Sequence, residues 1–389
     1  MSAPLIIIGS GFAAYQLVKT LRRKNSDIRI QLFTLDEGED YNKPDLSHVF
    51  TRQQMADDLV ATTADEFIKR YDVDLFTNTA VERIDPDGQI IMTKDGSFPY
   101  SKLVLATGAH PFLPNLTGDA THQIVTLNSL QEYRKFEQRI HAAQRILIMG
   151  GGIIGTELAM DLSASGKQVQ IVEPSDHLMA NLIPNFVADA LEHQLRHLGV
   201  NIECRDAITS VNHLNNELMI TSRKGNTFNA DCIIAAAGIV PNAELAKAAG
   251  AMINRGIIVD NQLKTSLNNV YALGDCAEVY GKVMPFLQPI ILSANTLANA
   301  LMSTPSVLSL PAMMVKVKTP QYPIQIGGNH TVDSHWQVDF STQGIVAKAF
   351  DNQQNMTGFV VTKEHVNQAF ALLKEVQLNT PNQQSTSGE

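Results

Sequence analysis

Residues 145–173 read RILIMGGGIIGTELAMDLSASGKQVQIVE, and this stretch decides the fold. A strand-like run at 145–149 leads into three glycines, a helical pattern follows to about Ser165, and a second strand-like run at 168–172 ends in Glu173. Strand, glycine-rich turn, helix and parallel strand in this order are typical of a dinucleotide-binding unit. The stretch therefore predicts an α/β fold with a parallel sheet.

Glu173 stands at the end of the second strand of this unit. A carboxylate there would accept hydrogen bonds from both ribose hydroxyls of an adenosine. Residues 174–177 are Pro-Ser-Asp-His, which offer no arginine for a 2′-phosphate. The sequence around the turn Gly150, Gly152 and Gly155 therefore favours NAD over NADP.

The same arrangement occurs near the N-terminus, where the run 5–8 leads into Gly9, Gly11 and Ala14 and a strand follows at 28–34. Gly9 allows the tight bend, Gly11 lets the backbone approach a pyrophosphate, and Ala14 allows close packing of helix on strand. The acid is less well placed, because Phe33 and Thr34 end the strand. Asp36 is the nearest candidate for a ribose, and its alternative is a solvated loop carboxylate.

Two further turns follow strands, at Thr107-Gly108 and at Gly238. A third, Gly274-Asp275, comes after a strand and before a helical segment. An aspartate in that position can accept a hydrogen bond from a sugar-alcohol hydroxyl, while the neighbouring amides face phosphate; alternatively it is an ordinary N-cap. Together with two dinucleotide turns, the Gly274-Asp275 pair indicates a flavin.

Composition excludes several classes of protein. With 39 acidic and 30 basic residues among 389, the net charge of −9 gives no broad basic surface for nucleic acid. The three cysteines form no Cys-x-x-Cys, so we expect no redox disulfide and no metal site, and their small number fits a cytoplasmic location. Residues 283–315 carry no charge, but prolines interrupt them, so we expect a buried helix opened by Pro289 and no membrane span.

The ordered motifs resemble those of pyridine-nucleotide-dependent flavoprotein reductases with the glutathione-reductase-like fold. The resemblance extends over nearly the whole chain, and within that family it points to the branch that lacks the redox disulfide and reduces small iron proteins. The strings that resemble bacterial reductases serving flavorubredoxin lie at 41–48 (YNKPDLSH), 254–260 (NRGIIVD) and 285–289 (PFLQP).

The resemblance implies the cofactors FAD and NADH and a set of roles. Lys43 would lie by the flavin N5 edge and pair with Glu157, and these two are the predicted catalytic residues. Pro44 would pack on the ring, and the helix opened by Pro289 would direct its N-terminus at the flavin. Gln288 and Pro289 are therefore among the expected cofactor-binding residues. NADH would pass a hydride to the flavin, and the reduced flavin would return its two electrons singly to two ferric centres in succession. The acceptor would be the rubredoxin domain of flavorubredoxin, which supports nitric oxide reduction.

The alternation of strand-like and helical runs also predicts the domain plan. After residue 311 the pattern changes to strand-like segments at 314–317, 335–339, 344–349 and 356–361 and a final helix near 363–375, and the tail is rich in Gln, Ser, Thr and Gly. Two Rossmann-like domains are followed by a small α+β domain, with FAD bound by residues 1–110 and 236–310, NAD by 111–235, the third domain at 311–377, and a disordered tail at 378–389.

The acceptor and its docking site leave alternatives open. The chain could serve an ordinary rubredoxin, or a ferredoxin that feeds an oxygenase, or it could be a redox sensor without turnover. Rubredoxin-type domains are typically acidic and this chain is acidic too, so docking needs a local basic patch. Alternation in 314–318 places Lys316 and Lys318 on one face of a strand, which is either that patch or a solvated, charged sheet edge.

Overall fold

The computed structural model describes residues 3–24, 27–215, 217–331 and 334–379. Contacts between Cα atoms divide the chain into two units. Unit 1 comprises Met1–Lys43, Ala56–His110 and Ile239–Leu310, and unit 2 comprises Pro44–Met55, Pro111–Gly238 and Pro311–Glu389. The predicted boundaries of the three domains stay predictions.

Some strands alternate with helices, and others follow one another in uninterrupted runs at 74–111, 201–241, 257–283 and 314–362. In the first half of the chain they are β1 Leu5–Ile8, β2 Ile30–Phe33, β3 Asp40–Tyr41, β4 Val60–Thr62, β5 Asp74–Phe76, β6 Arg83–Asp85, β7 Ile90–Thr93, β8 Gly96–Pro99, β9 Lys102–Leu105, β10 Ala109–Pro111, β11 Val125–Thr126, β12 Arg145–Met149 and β13 Gln168–Glu173. In the second half they are β14 Asn201–Cys204, β15 Ile208–Leu214, β16 Glu217–Ser222, β17 Thr227–Ala230, β18 Cys232–Ala235, β19 Ile239–Pro241, β20 Ile257–Val259, β21 Val270–Ala272, β22 Ala277–Val279, β23 Lys282–Val283, β24 Met314–Val317, β25 Ile324–Gly328, β26 His335–Ser341, β27 Gly344–Phe350 and β28 Met356–Thr362.

The α-helices cover the two parallel sheets and the last sheet. They are α1 Phe12–Lys24, α2 Ala64–Tyr71, α3 Leu130–Ala142, α4 Ile153–Ala164, α5 Asn185–His197, α6 Glu244–Ala248, α7 Leu287–Leu301 and α8 Ala369–Asn379. Short 3-10 helices lie at Lys43–His48, Ala56–Leu59, Thr121–Gln123 and Lys363–Gln368. None of the helices in the described part of the chain is long and apolar enough to cross a membrane.

Unit 1 is built on a parallel sheet in the order β21-β9-β1-β2-β5. Ile8 is in register with Phe33 on one side and with Leu105 on the other, so the carboxyl ends of these strands meet at one edge. Residues of the central strands are buried, as expected for a sheet covered on both faces. The turns that begin at Gly9, Ala106 and Leu273 therefore emerge side by side, where ligands bind in such sheets.

Unit 2 repeats this plan with the sheet β11-β18-β12-β13-β14. Met149 pairs with Val172 and with Ala235, so the turns after β12, β13 and β18 share one edge as well. The predicted α/β class with two Rossmann-like sheets is confirmed. The C-terminal sheet is antiparallel, in the order β24-β25-β28-β27-β26, and α8 packs on it, so the predicted α+β character of this segment is confirmed too.

Several sequence predictions differ from the structure in detail. Strand β25 was missed, because Pro323 before it and Gly327-Gly328 at its end read as a turn; a Cβ at Gly327 would lie 2.2 Å from the Phe359 ring, so packing selects the glycine. The C-terminal helix, predicted at 363–375, begins as a 3-10 helix and continues as α8 to Asn379. Helix α8 thus includes the first two residues of the tail predicted at 378–389, whose remainder lies outside the described residues, and the disorder of the tail stays a prediction.

The helix predicted to open at Pro289 begins two residues earlier. Its N-cap is Phe286 and its first residue is Leu287, so Pro289 is the third helical residue. The first amides of a helix have no intrahelical acceptor, so a proline in this turn removes no hydrogen bond.

Candidate functional site

In the first glycine-rich turn, Gly9 and Gly11 are glycines for different physical reasons. Gly9 has φ +120°, and a Cβ there would lie 2.2 Å from the carbonyl oxygen of Ala106, so the fold itself requires glycine. At Gly11 a Cβ would meet no atom within 4 Å. Nothing in the protein's own packing explains Gly11, whereas the approach of a ligand's phosphate to the start of α1 does.

Asp36 is held at this turn through hydroxyl groups. Its Oδ1 accepts hydrogen bonds from Ser10 Oγ at 2.7 Å, Thr34 Oγ1 at 2.8 Å and the Gly38 amide at 2.9 Å. The structure therefore brings Asp36 to the turn although it comes three residues after the strand ends. Sequence reasoning missed Ser10 and Thr34, whose only signal is that short hydroxyl residues flank the turn.

The second turn follows the same scheme with a shorter connection. Gly150 has φ +105°, and a Cβ would lie 2.5 Å from the Ala236 carbonyl oxygen. At Gly155 a Cβ would lie 2.0 Å from the carbonyl oxygen of Gly150, whereas at Gly152 it would meet nothing within 4 Å. Gly152 is thus the counterpart of Gly11, a glycine that only a ligand explains.

Glu173 contacts the second turn directly. Its Oε2 accepts the Gly151 amide at 2.5 Å, and its Oε1 accepts the Ser175 amide at 2.7 Å. Two backbone donors fix the carboxylate beside the start of α4. Such an acid is placed to meet ribose hydroxyls when an adenosine lies on the turn.

Asp275 and Lys43 meet in unit 1. Lys43 Nζ lies 4.0 Å from Asp275 Oδ2, and 17% of the Asp275 side chain is exposed against 40% of the Lys43 side chain. Burial raises the pKa of Asp275, and the charge of Lys43 opposes that rise. Gly274 has φ +84°, and a Cβ there would lie 2.6 Å from Ala13 Cβ, so this turn packs against the start of α1.

The turn Thr107-Gly108 is tied to Asn242, a residue that sequence reasoning missed. Thr107 Oγ1 donates to the Asn242 carbonyl at 2.7 Å, Asn242 Nδ2 donates to the Thr107 carbonyl at 2.8 Å, and the Asn242 amide donates to Gly108 at 3.0 Å. Gly238, with φ +107°, lies in unit 2, where its carbonyl accepts the Phe112 amide at 2.9 Å. Gly108, with φ +67°, and Gly238 both have a positive φ that favours glycine.

Glu157 is a buried carboxyl group of unit 2 with three neighbours that the sequence did not predict. Oε2 accepts Ser47 Oγ at 2.7 Å, Oε1 accepts the Lys318 amide at 2.7 Å, and His48 Nε2 lies 3.8 Å away. Burial raises the pKa of Glu157, and it lowers the pKa of His48. Lys43 belongs to unit 1, and its pairing with Glu157 stays a prediction.

The remaining predicted residues lie in different surroundings. Gln288 is exposed and Pro289 is buried in the first turn of α7, which packs against α1. Lys316 is exposed, with Nζ 5.6 Å from the centre of the exposed Phe370 ring. Lys318 Nζ contacts Asp45 Oδ1 at 3.1 Å and the Pro44 carbonyl at 3.2 Å. Lys318 is thus engaged within its unit, whereas Lys316 presents its charge beside an aromatic ring.

The cysteines are free thiols. Burial raises the pKa of Cys204 to about 12 and that of Cys232 to about 11, and Cys276 is fully buried. Groups of three or more metal-ligating side chains are absent from the described residues.

Comparison with protein families gives two matches. Residues 3–299 match the pyridine nucleotide-disulphide oxidoreductase family, and residues 307–376 match the rubredoxin binding C-terminal domain. A protein of Aliivibrio fischeri named nitric oxide reductase FlRd-NAD(+) reductase is 50% identical, over 98% of this chain and 100% of its own length. A protein of the same name from Escherichia coli is 42% identical, over 97% of this chain and 100% of its own length.

Solved structures share the fold at lower identity. A ferredoxin reductase from Rhodopseudomonas palustris superposes with a TM-score of 0.87 at 23% identity, covering 95% of this chain and 93% of its own. The reductase in a covalent putidaredoxin reductase–putidaredoxin complex gives a TM-score of 0.88 at 21% identity, covering 97% and 94%. The chain therefore belongs to the pyridine nucleotide-disulphide oxidoreductase family, in the group that carries a rubredoxin-binding C-terminal domain.

Proposed function

We propose that this protein is an FAD-containing reductase that oxidises NADH and reduces the rubredoxin domain of flavorubredoxin, in support of nitric oxide reduction. The observation that carries the proposal is the combination of two dinucleotide turns with a rubredoxin-binding domain in one chain. Relatives that match over their whole length carry the name of this activity.

The residues present fit both dinucleotides. Gly11 and Gly152 leave open space in front of two helix N-termini, and amides at a helix start stabilise phosphate. Each turn has a carboxylate fixed beside it, Asp36 in unit 1 and Glu173 in unit 2. Unit 1 would hold FAD, with Asp275 toward its sugar alcohol, and unit 2 would hold NADH.

Bound FAD would accept two electrons together from NADH and release them one at a time. The chain's own residues orient the partners and set the local charge. Lys43 provides a cation stabilised by Asp275, and Pro44 fixes the backbone after it. The first turn of α7 contributes a helix N-terminus, which favours negative charge. Glu157 holds Ser47 and the Lys318 amide in place.

Nucleotide choice rests on Glu173. Its carboxylate would repel a 2′-phosphate, and the residues that follow, Pro174 to His177, provide no cation except a histidine. NADH is therefore the expected donor, and we expect the protein to work in the cytoplasm, where NADH is supplied and thiols stay reduced.

The docking site for the carrier is proposed on the C-terminal domain around Lys316. The chain carries a net charge of −9, so attraction of net charges cannot bring an acidic carrier to it. Lys316 is exposed beside the exposed ring of Phe370, a cation and an aromatic anchor together. Lys318 already pairs with Asp45, so its contribution to docking is expected to be smaller.

The test compares three electron carriers in one assay. The purified yellow protein is reduced with NADH without oxygen and mixed with a flavorubredoxin rubredoxin domain, an ordinary rubredoxin or a [2Fe–2S] ferredoxin. The expected result is the highest kcat/KM with the first carrier, read as loss of its ferric absorbance. Preference for the ferredoxin, or flavin reduction without reduction of any carrier, would contradict the proposal.

Docking is tested by Lys316→Glu, with Lys247→Glu on α6 as the control of equal charge change in unit 1. Only the Lys316 variant should raise the KM for the carrier, while the KM for NADH stays constant. The difference should shrink as salt shortens the Debye length to about 8 Å and below. Equal behaviour of the two variants would place the patch elsewhere.

A further inference from the structure

The segment Pro44–Met55 follows Lys43 directly and belongs to unit 2, although the residues before and after it belong to unit 1. It begins in the 3-10 helix Lys43–His48 and ends in a turn at which Gln53 has φ +53°. The segment contains no α-helix and no strand, so its position depends on contacts with the rest of unit 2.

Asp161 on α4 holds the middle of this segment. One carboxylate oxygen accepts the Phe50 amide at 2.8 Å and the Thr51 amide at 3.4 Å, and the other accepts Thr51 Oγ1 at 2.5 Å. Only 6% of Asp161 is exposed. A buried carboxylate is costly unless it is hydrogen-bonded, and all three of these donors come from the segment.

Glu157 lies one turn earlier on the same helix and holds the segment at Ser47. Residues four apart on a helix lie on one face, so the two carboxylates contact positions 47 and 50–51 in the same order. At the start of the segment, the Pro44 carbonyl accepts Lys318 Nζ at 3.2 Å. At its end, Tyr133 Oη donates to the Gln54 carbonyl at 2.6 Å.

The reactions of this site do not otherwise use Asp161. Its side chain has no counter-ion among the contacts above, and a hydrophobic residue would pack a helix interior at lower cost. The carboxylate is explained by the backbone donors of a short, irregular segment whose first neighbour is Lys43.

We infer that Asp161 is a positioning residue for the flavin site: by fixing residues 50–51 on α4, it sets the place of Pro44 and Lys43. The inference rests on the proposed function, which puts Lys43 at the flavin. Asp161 contacts neither nucleotide and acts through the backbone of the segment.

The matched control is Asp206, another buried aspartate of unit 2. It accepts the backbone amides of Ala207 and Lys224, the Ser222 hydroxyl and the side-chain amide of Asn226. These donors lie at position 207 and in the β16–β17 hairpin, not in the segment. Asp161→Asn and Asp206→Asn therefore remove the same kind of charge from the same unit.

The first measurement is hydrogen exchange of peptides covering residues 44–55, on the FAD-loaded protein. Asp161→Asn should speed exchange at the Phe50 and Thr51 amides, and Asp206→Asn should leave these amides unchanged. The visible spectrum of the bound flavin should shift in the Asp161 variant alone, because the cation and the ring beside it change their relative place.

The second measurement is the limiting rate of flavin reduction in stopped flow. A misplacement of about 1 Å costs on the order of 100-fold, so Asp161→Asn should lower this rate by about 10- to 100-fold with an unchanged Kd for NADH. Thr51→Val should show a smaller loss, and Thr51→Ser, which keeps the hydroxyl, should restore the wild-type rate. These variants keep the question open to measurement if Asp161→Asn does not fold.

Equal reduction rates in the Asp161, Thr51 and Asp206 variants would overturn the inference, as would faster exchange of the segment without any change in rate or spectrum. Lys43→Ala is run in parallel. If Lys43→Ala slows reduction and the Asp161 and Thr51 variants do not, only this inference fails. If Lys43→Ala has no effect, the proposed role of Lys43 fails, and the inference fails with it.

Discussion

The two glycine-rich turns have the same backbone plan but differ in how the acid reaches the turn. Glu173 contacts the amide of Gly151 directly, whereas Asp36 is held by the hydroxyls of Ser10 and Thr34. At the third motif position, Gly155 is required by the approach of α4 to Gly150, whereas unit 1 has Ala14 there. Strand–turn geometry thus requires Gly9 and Gly150, and the open space at Gly11 and Gly152 is common to both turns, while the acids and the third motif position differ between the two units.

The largest expected effect tests whether Gly11 and Gly152 are explained by ligands alone. Gly11→Val should give a protein that folds but binds FAD with a Kd raised about 100-fold or more. Gly152→Val should keep FAD but raise the KM for NADH by a similar factor, and a factor of 100 is about 2.7 kcal/mol. Neither Cβ meets a protein atom within 4 Å.

Flavin content, NADH kinetics and thermal unfolding of the flavin-free chains check this pair. If either variant lost as much stability as a core substitution, the glycine would be structural.

Gly155→Ala should come next, because it brings a Cβ within 2.0 Å of the Gly150 carbonyl oxygen. Overpacking of this kind costs about 1–3 kcal/mol, and α4 would move away from the turn. The reverse experiment in unit 1, Ala14→Gly, should cost only about 1 kcal/mol. Denaturant unfolding of both variants measures the difference, and equal losses would show that the two helices approach their turns alike.

Glu173→Arg should reverse or abolish the preference for NADH, with a change of about 10- to 100-fold in the ratio of kcat/KM values, or about 1.4–2.7 kcal/mol. The carboxylate that would repel a 2′-phosphate is replaced by a cation that binds one. Asp36→Asn is the matched change at the other turn, and it should lower FAD affinity without altering nucleotide preference. A wild-type protein equally efficient with NADH and NADPH would remove Glu173 from this role.

The smallest effect concerns the protonation of Asp275, which lies in unit 1 on the turn that packs against the start of α1. Its pKa is raised by burial, so the folded state binds its proton more tightly than the unfolded chain does. Its contribution to stability is complete below its ordinary pKa, about 4, and is lost as pH rises through the raised value.

In the flavin-free protein, Asp275→Asn should therefore be more stable than wild type at pH 7, and the two should converge in acid. Thermal unfolding between pH 4 and 8 checks this. A constant difference across that range would show that the carboxyl group does not titrate there.

Much of the fold could be predicted from the sequence because its signals are local. Strands β1, β12 and β24 and the turns after the first two are set by short apolar runs and glycines, and they lie where the sequence predicts them. The helix at Leu287 and strand β25 were misjudged, because proline and glycine have more than one compatible position.

The site was predicted where a motif carries its own geometry and missed where chain segments meet. Glu173 lies beside its turn, as its spacing indicated, whereas Asp36 reaches its turn although its spacing made it the weaker candidate. Asp161 and Asn242 could not be found, since their partners lie more than 100 positions away in sequence. Nothing in the sequence around Asp161 indicates that its side chain will bind Thr51.

The burial of the cysteines has a consequence for durability. Nitrosating and oxidising agents attack the thiolate, and the raised pKa of Cys204 keeps this thiol protonated at pH 7. Cys204 is half-buried, and Cys232 and Cys276 are fully buried. A reductase that supplies electrons for nitric oxide removal is exposed to these agents while it works, and we expect its turnover to persist in nitric oxide that inactivates enzymes with an exposed catalytic thiol.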